Sequence, residues 1–456
     1  MFVHAKRGIS RTRSGCWTCR SRRKKCDEGR PHCRNCQLLG LACEGYGVRL
    51  KWSAPGKSGE ACSQKTRGRV KGKGGSRAEN NASSKLAVSE PTGAVHNAIL
   101  LQHLGQEVFN SLSEFEREVL YDFADWGAAT LSAMAMPEPV DRFQDTLSYC
   151  AESKPFLLNS VTYQITLDPK HAQYVDEYYG RSITQFRKTL ADPECLQDES
   201  VPFAGILLST ISMHRAMPWT IHLNGIAGIF LNEDLFDTPS EDSKELVALI
   251  GVLDLPTHTL GRQSKHMHLW HRYCQEENGI EEVTGLPCSL LHLFASAFEP
   301  DAEYLLLQWP GESGATGDST TRKIWDATHH AGMIMVRGVR QDQGLSTNFD
   351  SQTIASSVYH IISLLQELQP EIGKETLISW DSLLFPLVAA GSQTAHLTPE
   401  GQKFIKECIV TLSDGSLSDR PYYRAIIMAL ETLWSSDGLK SLQQVTRDLG
   451  LELALF

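Results

Sequence analysis

Apolar residues recur at helical intervals along most of the chain beyond about residue 96. Leu101, Leu104, Val108, Leu112, Phe115 and Val119 follow one another at steps of three and four, which predicts a stripe along one helix face. The stripe covers fewer than three heptads, short for a dimerising coiled coil, so it reads as a core helix of a bundle. Further helices are expected at 171–192, 201–215, 218–231, 242–260, 266–278, 288–297, 319–336, 352–368, 375–392, 399–413 and 421–435. Strand-like alternation is scarce and no βαβ rhythm appears. The expected fold class is therefore mostly α, with a large all-helical domain over 96–456 and two subdomains parting near 300–320. The most apolar window, Leu377 to Ala390, is interrupted by Trp380-Asp381 and Pro386, so it reads as core helix and no membrane span is expected.

Before residue 96 the pattern is different. Residues 53–95 are rich in Gly, Ser, Lys and Arg, as in Lys65-Thr-Arg-Gly-Arg-Val-Lys-Gly-Lys-Gly-Gly-Ser-Arg77, and show no apolar period. Such a composition buries too little surface to fold alone, so 44–95 reads as a flexible basic linker, suited to phosphate attraction and nuclear import. Residues 1–15 form a short basic tail with no apolar stretch of secretory type. Charge follows the same division. Residues 1–77 carry 20 Lys+Arg against 4 Asp+Glu, a balance of +16, and the remainder carries 24 against 50, a balance of −26. The overall −10 conceals a polyanion-seeking head on an acidic body.

Candidate chemistry is concentrated in that head. Six of the twelve cysteines obey one rule, Cys16-x2-Cys19-x6-Cys26, then six residues, then Cys33-x2-Cys36-x6-Cys43. The other six (Cys62, Cys150, Cys195, Cys274, Cys288 and Cys408) are dispersed, which fits a reducing compartment better than a disulfide framework. Zinc favours four thiolate or imidazole ligands in a tetrahedron. Two separate sites need eight ligands, so six cysteines hold two zinc ions only if two thiolates bridge them. Two zincs and six thiolates leave a charge of −2, which the cations Arg20, Arg22, Arg23, Lys24 and Lys25 offset while favouring the thiolate form. His32 adjoins Cys33, but the repeat needs no seventh ligand. The first spacer, Arg20 to Lys25, is cationic and is expected to face DNA; the second, Gln37-Leu-Leu-Gly-Leu-Ala42, is uncharged and is expected to pack inward. Pro31 lies between the halves, where its fixed φ helps the chain reverse.

The spacing and the string Cys16-Trp-Thr-Cys-Arg-Ser-Arg-Arg-Lys-Lys-Cys-Asp27 resemble the fungal binuclear zinc-cluster transcription factors, whose DNA module places a helix at the major groove. The resemblance implies a binuclear zinc-cluster DNA-binding domain over 16–43. In it Cys16 and Cys33 bridge the ions, Cys19 and Cys26 complete one site, and Cys36 and Cys43 complete the other. It also implies that Arg23 reads a base edge while Arg20, Arg22, Lys24 and Lys25 mainly contact phosphate. Many members carry lysine at the position of Arg23. The resemblance extends to Gly45-Tyr-Gly-Val-Arg-Leu-Lys-Trp52, to Trp219-Thr-Ile-His-Leu-Asn-Gly225, Glu282-Val-Thr-Gly-Leu-Pro-Cys-Ser-Leu-Leu291 and Leu383-Leu-Phe-Pro-Leu-Val-Ala-Ala-Gly391, and to Trp434. Residues 126–170 match the family pattern poorly and are expected to be shortened or irregular.

The function implied is a zinc-dependent, sequence-specific regulator of RNA polymerase II transcription in a fungal nucleus, controlling metabolic or biosynthetic-cluster genes. Its partners would be double-stranded DNA with CGG-type half-sites, a second copy of the chain in a homodimer, and the transcription machinery or co-regulators. The alternative is a zinc-binding interaction or metal-buffering protein that does not read DNA; the five cations argue against it, because a metal store needs only thiolates.

Other constellations carry less. In His266-Met-His-Leu-Trp-His-Arg-Tyr-Cys274 no single helix face collects four ligands, and His329-His330, being adjacent, are not expected to chelate from one face. Gly311-Glu-Ser-Gly-Ala-Thr-Gly317 lacks a phosphate-loop ending and reads as surface loop. The acidic run Asn232 to Asp237 with Glu241-Asp242 mixes carboxylates and bulky apolar groups, as activation segments do, but reads as a connecting loop. No catalytic constellation is found, and no enzyme is expected.

Overall fold

In the computed structural model the described residues are 18–19, 22, 24–27, 33–39 and 41, and then 92–456 except 133–138, 193–197, 199, 232–240, 313–317, 375–377, 414–419, 437 and 439. The linker as far as residue 91, the basic tail, most of the acidic run and the centre of the glycine-rich loop fall outside them, while 92–95 already belong to a helix. Cys16, Cys43, Arg20 and Arg23 also fall outside them.

Nineteen α-helices and one two-residue strand pair are present among the described residues. Helix α1 (Arg34–Leu38) belongs to the cysteine cluster. The body begins with α2 (Thr92–Leu104), α3 (Gln106–Ser111), α4 (Glu114–Asp125), α5 (Pro139–Glu152), α6 (Lys154–Leu167), α7 (Val175–Leu190), α8 (Ser200–His214), α9 (Thr220–Phe230) and α10 (Glu241–Leu253). It continues with α11 (Leu269–Tyr273), α12 (Cys288–Ala295), α13 (Ala302–Leu307), α14 (Ser319–Asp342), α15 (Ser351–Leu368), α16 (Leu384–Gly391), α17 (Pro399–Leu412), α18 (Pro421–Trp434) and α19 (Leu442–Asp448). Strand β1 (Thr259–Leu260) pairs antiparallel with β2 (Leu453–Ala454). No described helix is long and apolar enough to cross a membrane.

The 101–119 stripe is divided among three helices rather than lying on one. Gly105 ends α2 with φ +79°, a conformation that disfavours side chains. Ser113 then starts α4 with a reciprocal capping box, its hydroxyl accepting from Glu116 N and its own N–H donating to the Glu116 carboxylate. Leu104, Leu112 and Val119 are nonetheless buried in one core, so the bundle reading stands against the coiled coil.

Residues 126–170, expected to be shortened or irregular, hold a regular and largely buried helix. Helix α6 packs against α4, α7 and α8, and Val161, Thr162, Tyr163, Gln164 and Ile165 are all buried. Being covered on all sides it has no polar face, so no amphipathic stripe announces it. Downstream, α14 packs against α15 and α16, and α16 against α17.

Two hydrophobic cores result. One gathers residues from Leu100 to Leu269 together with Ala454; the other runs from Ala216 and Val247 to Leu455. They meet through Leu231 and Phe456, which pack on both, so the body divides between about 216 and 270 and not near 300–320. The expected helices at 242–260 and 266–278 are shortened to 241–253 and 269–273, because the intervening chain turns around a buried ion pair. Asp254 accepts from Arg262 Nη2 at 2.6 Å, Met267 N at 2.8 Å and His268 N at 2.7 Å.

Candidate metal centre and nucleic-acid interface

Cys33 caps the N-terminus of α1 with an extended backbone, and its Sγ accepts the Cys36 N–H at 3.2 Å. One turn of helix thereby turns the Cys36 side chain inward beside Cys33. Cys19, Cys26, Cys33 and Cys36 are all buried and form a core of their own. Cys19 Sγ lies 3.7 Å from Cys33 Sγ and 3.8 Å from Cys36 Sγ. Thiolates at the corners of a zinc tetrahedron with Zn–S of ~2.3 Å stand roughly 3.8 Å apart. Ligand atoms of Cys19, Cys26 and Cys33 lie within 4.8 Å of one another. Four buried thiols converge, and among the described residues no apolar side chain joins their core to explain the burial, so the donor set fits zinc.

The cationic spacer winds round this core. Lys24 N donates to Cys19 O at 2.9 Å and Arg22 N to Thr18 O at 3.3 Å, leaving the side chains of Arg22, Lys24 and Lys25 exposed. Asp27, a residue the sequence reasoning passed over, ties the halves together. Its carboxylate accepts Arg34 N and Asn35 N, both at 3.0 Å, while Asn35 Nδ2 donates to Lys25 O at 2.9 Å. These N–H groups, Asn35 N foremost, hold the Asp27 carboxyl below the usual carboxylate range despite some opposing desolvation. An acid placed directly after Cys26 and before the start of α1 was the signal available in the sequence.

The second spacer does not pack inward. Leu38 is 76% exposed and Leu39 58%, and Gln37 and Leu41 are exposed as well. Once Cys36 occupies the inward face of a five-residue helix, a core made of sulfur and metal has no room to bury leucines.

The remaining ligand-rich stretches resolve differently from one another. His266 and His268 flank the Asp254 ion pair, with His266 Nδ1 against Asp254 O at 3.2 Å. His329 and His330, expected not to converge, do: with Asp326 they bring ligand atoms within 4.8 Å of one another, because positions i, i+3 and i+4 share a helix face. Each already has a partner. His329 Nε2 meets Leu306 O at 2.7 Å, His330 Nδ1 meets Ser357 Oγ at 3.3 Å, and Asp326 Oδ2 meets His360 Nε2 at 2.9 Å. The group thus joins α14 to α13 and α15 as a hydrogen-bonded network.

The dispersed thiols Cys150, Cys274, Cys288 and Cys408 are buried, and desolvation pushes each up to about 12, so none is an activated nucleophile.

A thiolate metal core carrying exposed cations defines a zinc-built DNA-binding module. Residues 14–53 match the fungal Zn(2)-Cys(6) binuclear cluster domain, a domain that binds two zinc ions. Among curated proteins the chain is 61% identical over 46 residues to transcription factor phomR' of Diaporthe leptostromiformis. It is 60% identical over 42 residues to the pestheic acid cluster transcriptional regulator 3 of Pestalotiopsis fici, and 50% over 50 residues to the arginine metabolism regulation protein II of Saccharomyces cerevisiae. These segments are 10%, 9% and 11% of this chain, and span only 7%, 7% and 6% of the respective relatives. No solved structure matches the chain.

Proposed function

We propose that this protein is a zinc-dependent, sequence-specific DNA-binding regulator of RNA polymerase II transcription, acting in a fungal nucleus on metabolic or biosynthetic-cluster genes. The observation that carries the reading is the exposure of Arg22, Lys24 and Lys25 on a chain fastened to a core of buried thiols. Cations fixed at such a surface meet a polyanion at little entropic cost, which a metal store would not require.

In this reading residues 16–43 are the DNA-binding domain, 44–95 a basic linker that adds phosphate attraction, and 96–456 the regulatory body. Cys16 and Cys33 bridge two zinc ions, with Cys19 and Cys26 on one and Cys36 and Cys43 on the other. Zinc holds the cationic segment in one shape; Arg23 reads guanine O6 and N7 within a CGG-type half-site, and Arg20, Arg22, Lys24 and Lys25 contact phosphates. The body meets co-regulators or a second copy of the chain, whose geometry sets half-site spacing. The relatives are named as transcription factors and cluster regulators, which supports the reading.

Selection of bound sequences from a random duplex pool, using the zinc-loaded full chain, tests it. A recovered guanine-rich half-site at a fixed spacing is expected; recovery of no enriched sequence with zinc bound would support metal storage instead.

A further inference from the structure

A cavity of about 870 Å³ lies in the helical body, remote in sequence from the cysteine cluster and unused by any role described above. Its size is in the upper range of small-molecule sites, ~300–1,000 Å³. The wall draws on both cores: Phe203, Leu207 and His214 of α8 on one side, Leu384 of α16 and Tyr422 of α18 on the other, with the C-terminal Phe456 between them. Trp126, Phe156 and Trp380 add aromatic faces.

Most of its polar groups are already engaged. Among the described residues of the wall, Arg420 and Asp381 are the charged ones and are of opposite sign, so their charges offset. Arg420 Nη1 donates to Leu167 O at 3.0 Å, and Asp381 accepts the Tyr423 hydroxyl at 2.6 Å. His214 Nε2 meets Tyr163 Oη at 3.3 Å, and Tyr163 Oη meets Thr130 Oγ1 at 2.9 Å. Burial, reinforced by Arg420, holds His214 down to about 4, so its imidazole is neutral near pH 7. Ser382 Oγ differs: it is buried in the same wall and has no hydrogen-bond partner among the described residues. An orphaned hydroxyl costs free energy until something bonds it. Interiors are packed close to the density of organic crystals, so a space of this size with mostly apolar walls and one unspent hydroxyl has the character of a binding site.

We infer that the cavity binds a small organic molecule, uncharged overall and largely apolar, with a ring system lying against the aromatic walls and one oxygen placed to bond Ser382. Among the described residues a charged ligand would find no spare counter-charge, because Arg420 and Asp381 offset each other and are both hydrogen-bonded. A ligand spanning both cores holds them together, so its occupancy stiffens the seam of the body. That such occupancy alters DNA binding rests on the function proposed above; the binding itself does not.

The test is a titration of the zinc-loaded full chain with Nile red, an uncharged apolar dye that brightens on leaving water. Saturable binding at one site per chain is expected. Thr210→Trp, which directs an indole into the cavity from α8, should weaken it at least tenfold. Thr411→Trp, at an exposed position on the rim, should do the same while sparing the core. Tyr359→Trp, on a surface side chain 79% exposed, should leave the affinity unchanged. Circular dichroism confirms that each variant remains helical. Non-saturable binding, or equal affinity in a folded Thr411→Trp protein, overturns the inference. Because the readout involves no DNA, failure here leaves the DNA-binding reading intact, and failure of that reading leaves this one intact.

Discussion

Glu452 offers the sharpest test of how the body is closed. It is fully buried beside β2, and its carboxylate accepts Trp219 N at 2.6 Å, Thr220 N at 3.0 Å, Thr220 Oγ1 at 2.6 Å and Gln263 N at 2.8 Å. The C-terminal segment thereby caps the start of α9, satisfying backbone donors that the helix itself leaves open. Glu452→Ala strips two buried N–H groups, one part-buried N–H and one hydroxyl of their acceptor. Each orphaned donor costs about 1–3 kcal/mol, and water entering the vacated space recovers part, so the net loss is about 3–5 kcal/mol. Glu452→Gln keeps one oxygen but turns an NH2 group toward the remaining donors, and is expected to cost about half as much. Urea unfolding of the zinc-loaded chain, followed by far-ultraviolet circular dichroism, measures both. A loss below about 1 kcal/mol for Glu452→Ala would refute the argument that this carboxylate fastens the C-terminus to the first core.

Other outcomes follow from the same geometry. His214, His258 and His266 are held by burial to about 4, 3 and 3, against an ordinary value near 6.5. Between those values the unfolded chain binds more protons than the folded one, so stability is full above about pH 6.5 and falls as pH drops toward 4; thermal melts across pH 4–8 read this directly. Arg23→Ala should weaken specific DNA binding by about 1–3 kcal/mol and relax preference at one base, as measured by competition with substituted duplexes. Equal weakening on every sequence would move base reading to another residue. His330→Ala should leave the zinc content at two ions per chain by atomic emission, because the Asp326 group is a hydrogen-bonded network; a fall from three ions to two would show it to be a metal site.

The sequence made some of this legible and hid the rest for physical reasons. Helices such as 351–368, 399–412 and 421–434 lie with one face on the core, so their apolar period appears in the chain to within a residue or two. Helix α6 is covered on nearly all sides and shows no apolar period, and the poor match of 126–170 to the family pattern gave no other sign of it. The turn at 254–268 carries Asp254, Arg262 and His266, residue types that suggest surface, yet the ion pair is buried and ends α10 early. The contact of Glu452 with Trp219 joins positions 233 apart, and no local pattern encodes it. At the cysteine cluster, spacing pointed to the group of buried thiols that Cys19, Cys26, Cys33 and Cys36 form, because ligation demands particular residues at particular intervals. The exposure of Leu38 and Leu39 was missed, because an uncharged spacer was equated with an inward one. A core of sulfur and metal does not bury leucine as a hydrophobic core does.

The claim that zinc shapes a DNA-reading surface is tested most directly by a salt titration of the zinc-loaded chain. Fluorescence anisotropy would be measured on a selected half-site duplex and on a scrambled one, for the wild type and for Cys33→Ala. The account predicts preferential binding of the selected duplex, with log K falling by about 0.9 per log unit of salt for each phosphate neutralised. It predicts loss of that preference in Cys33→Ala, because metal binding supplies the folding energy of the module. Specific binding that survives in Cys33→Ala, or wild-type binding indifferent to both sequence and salt, would contradict it.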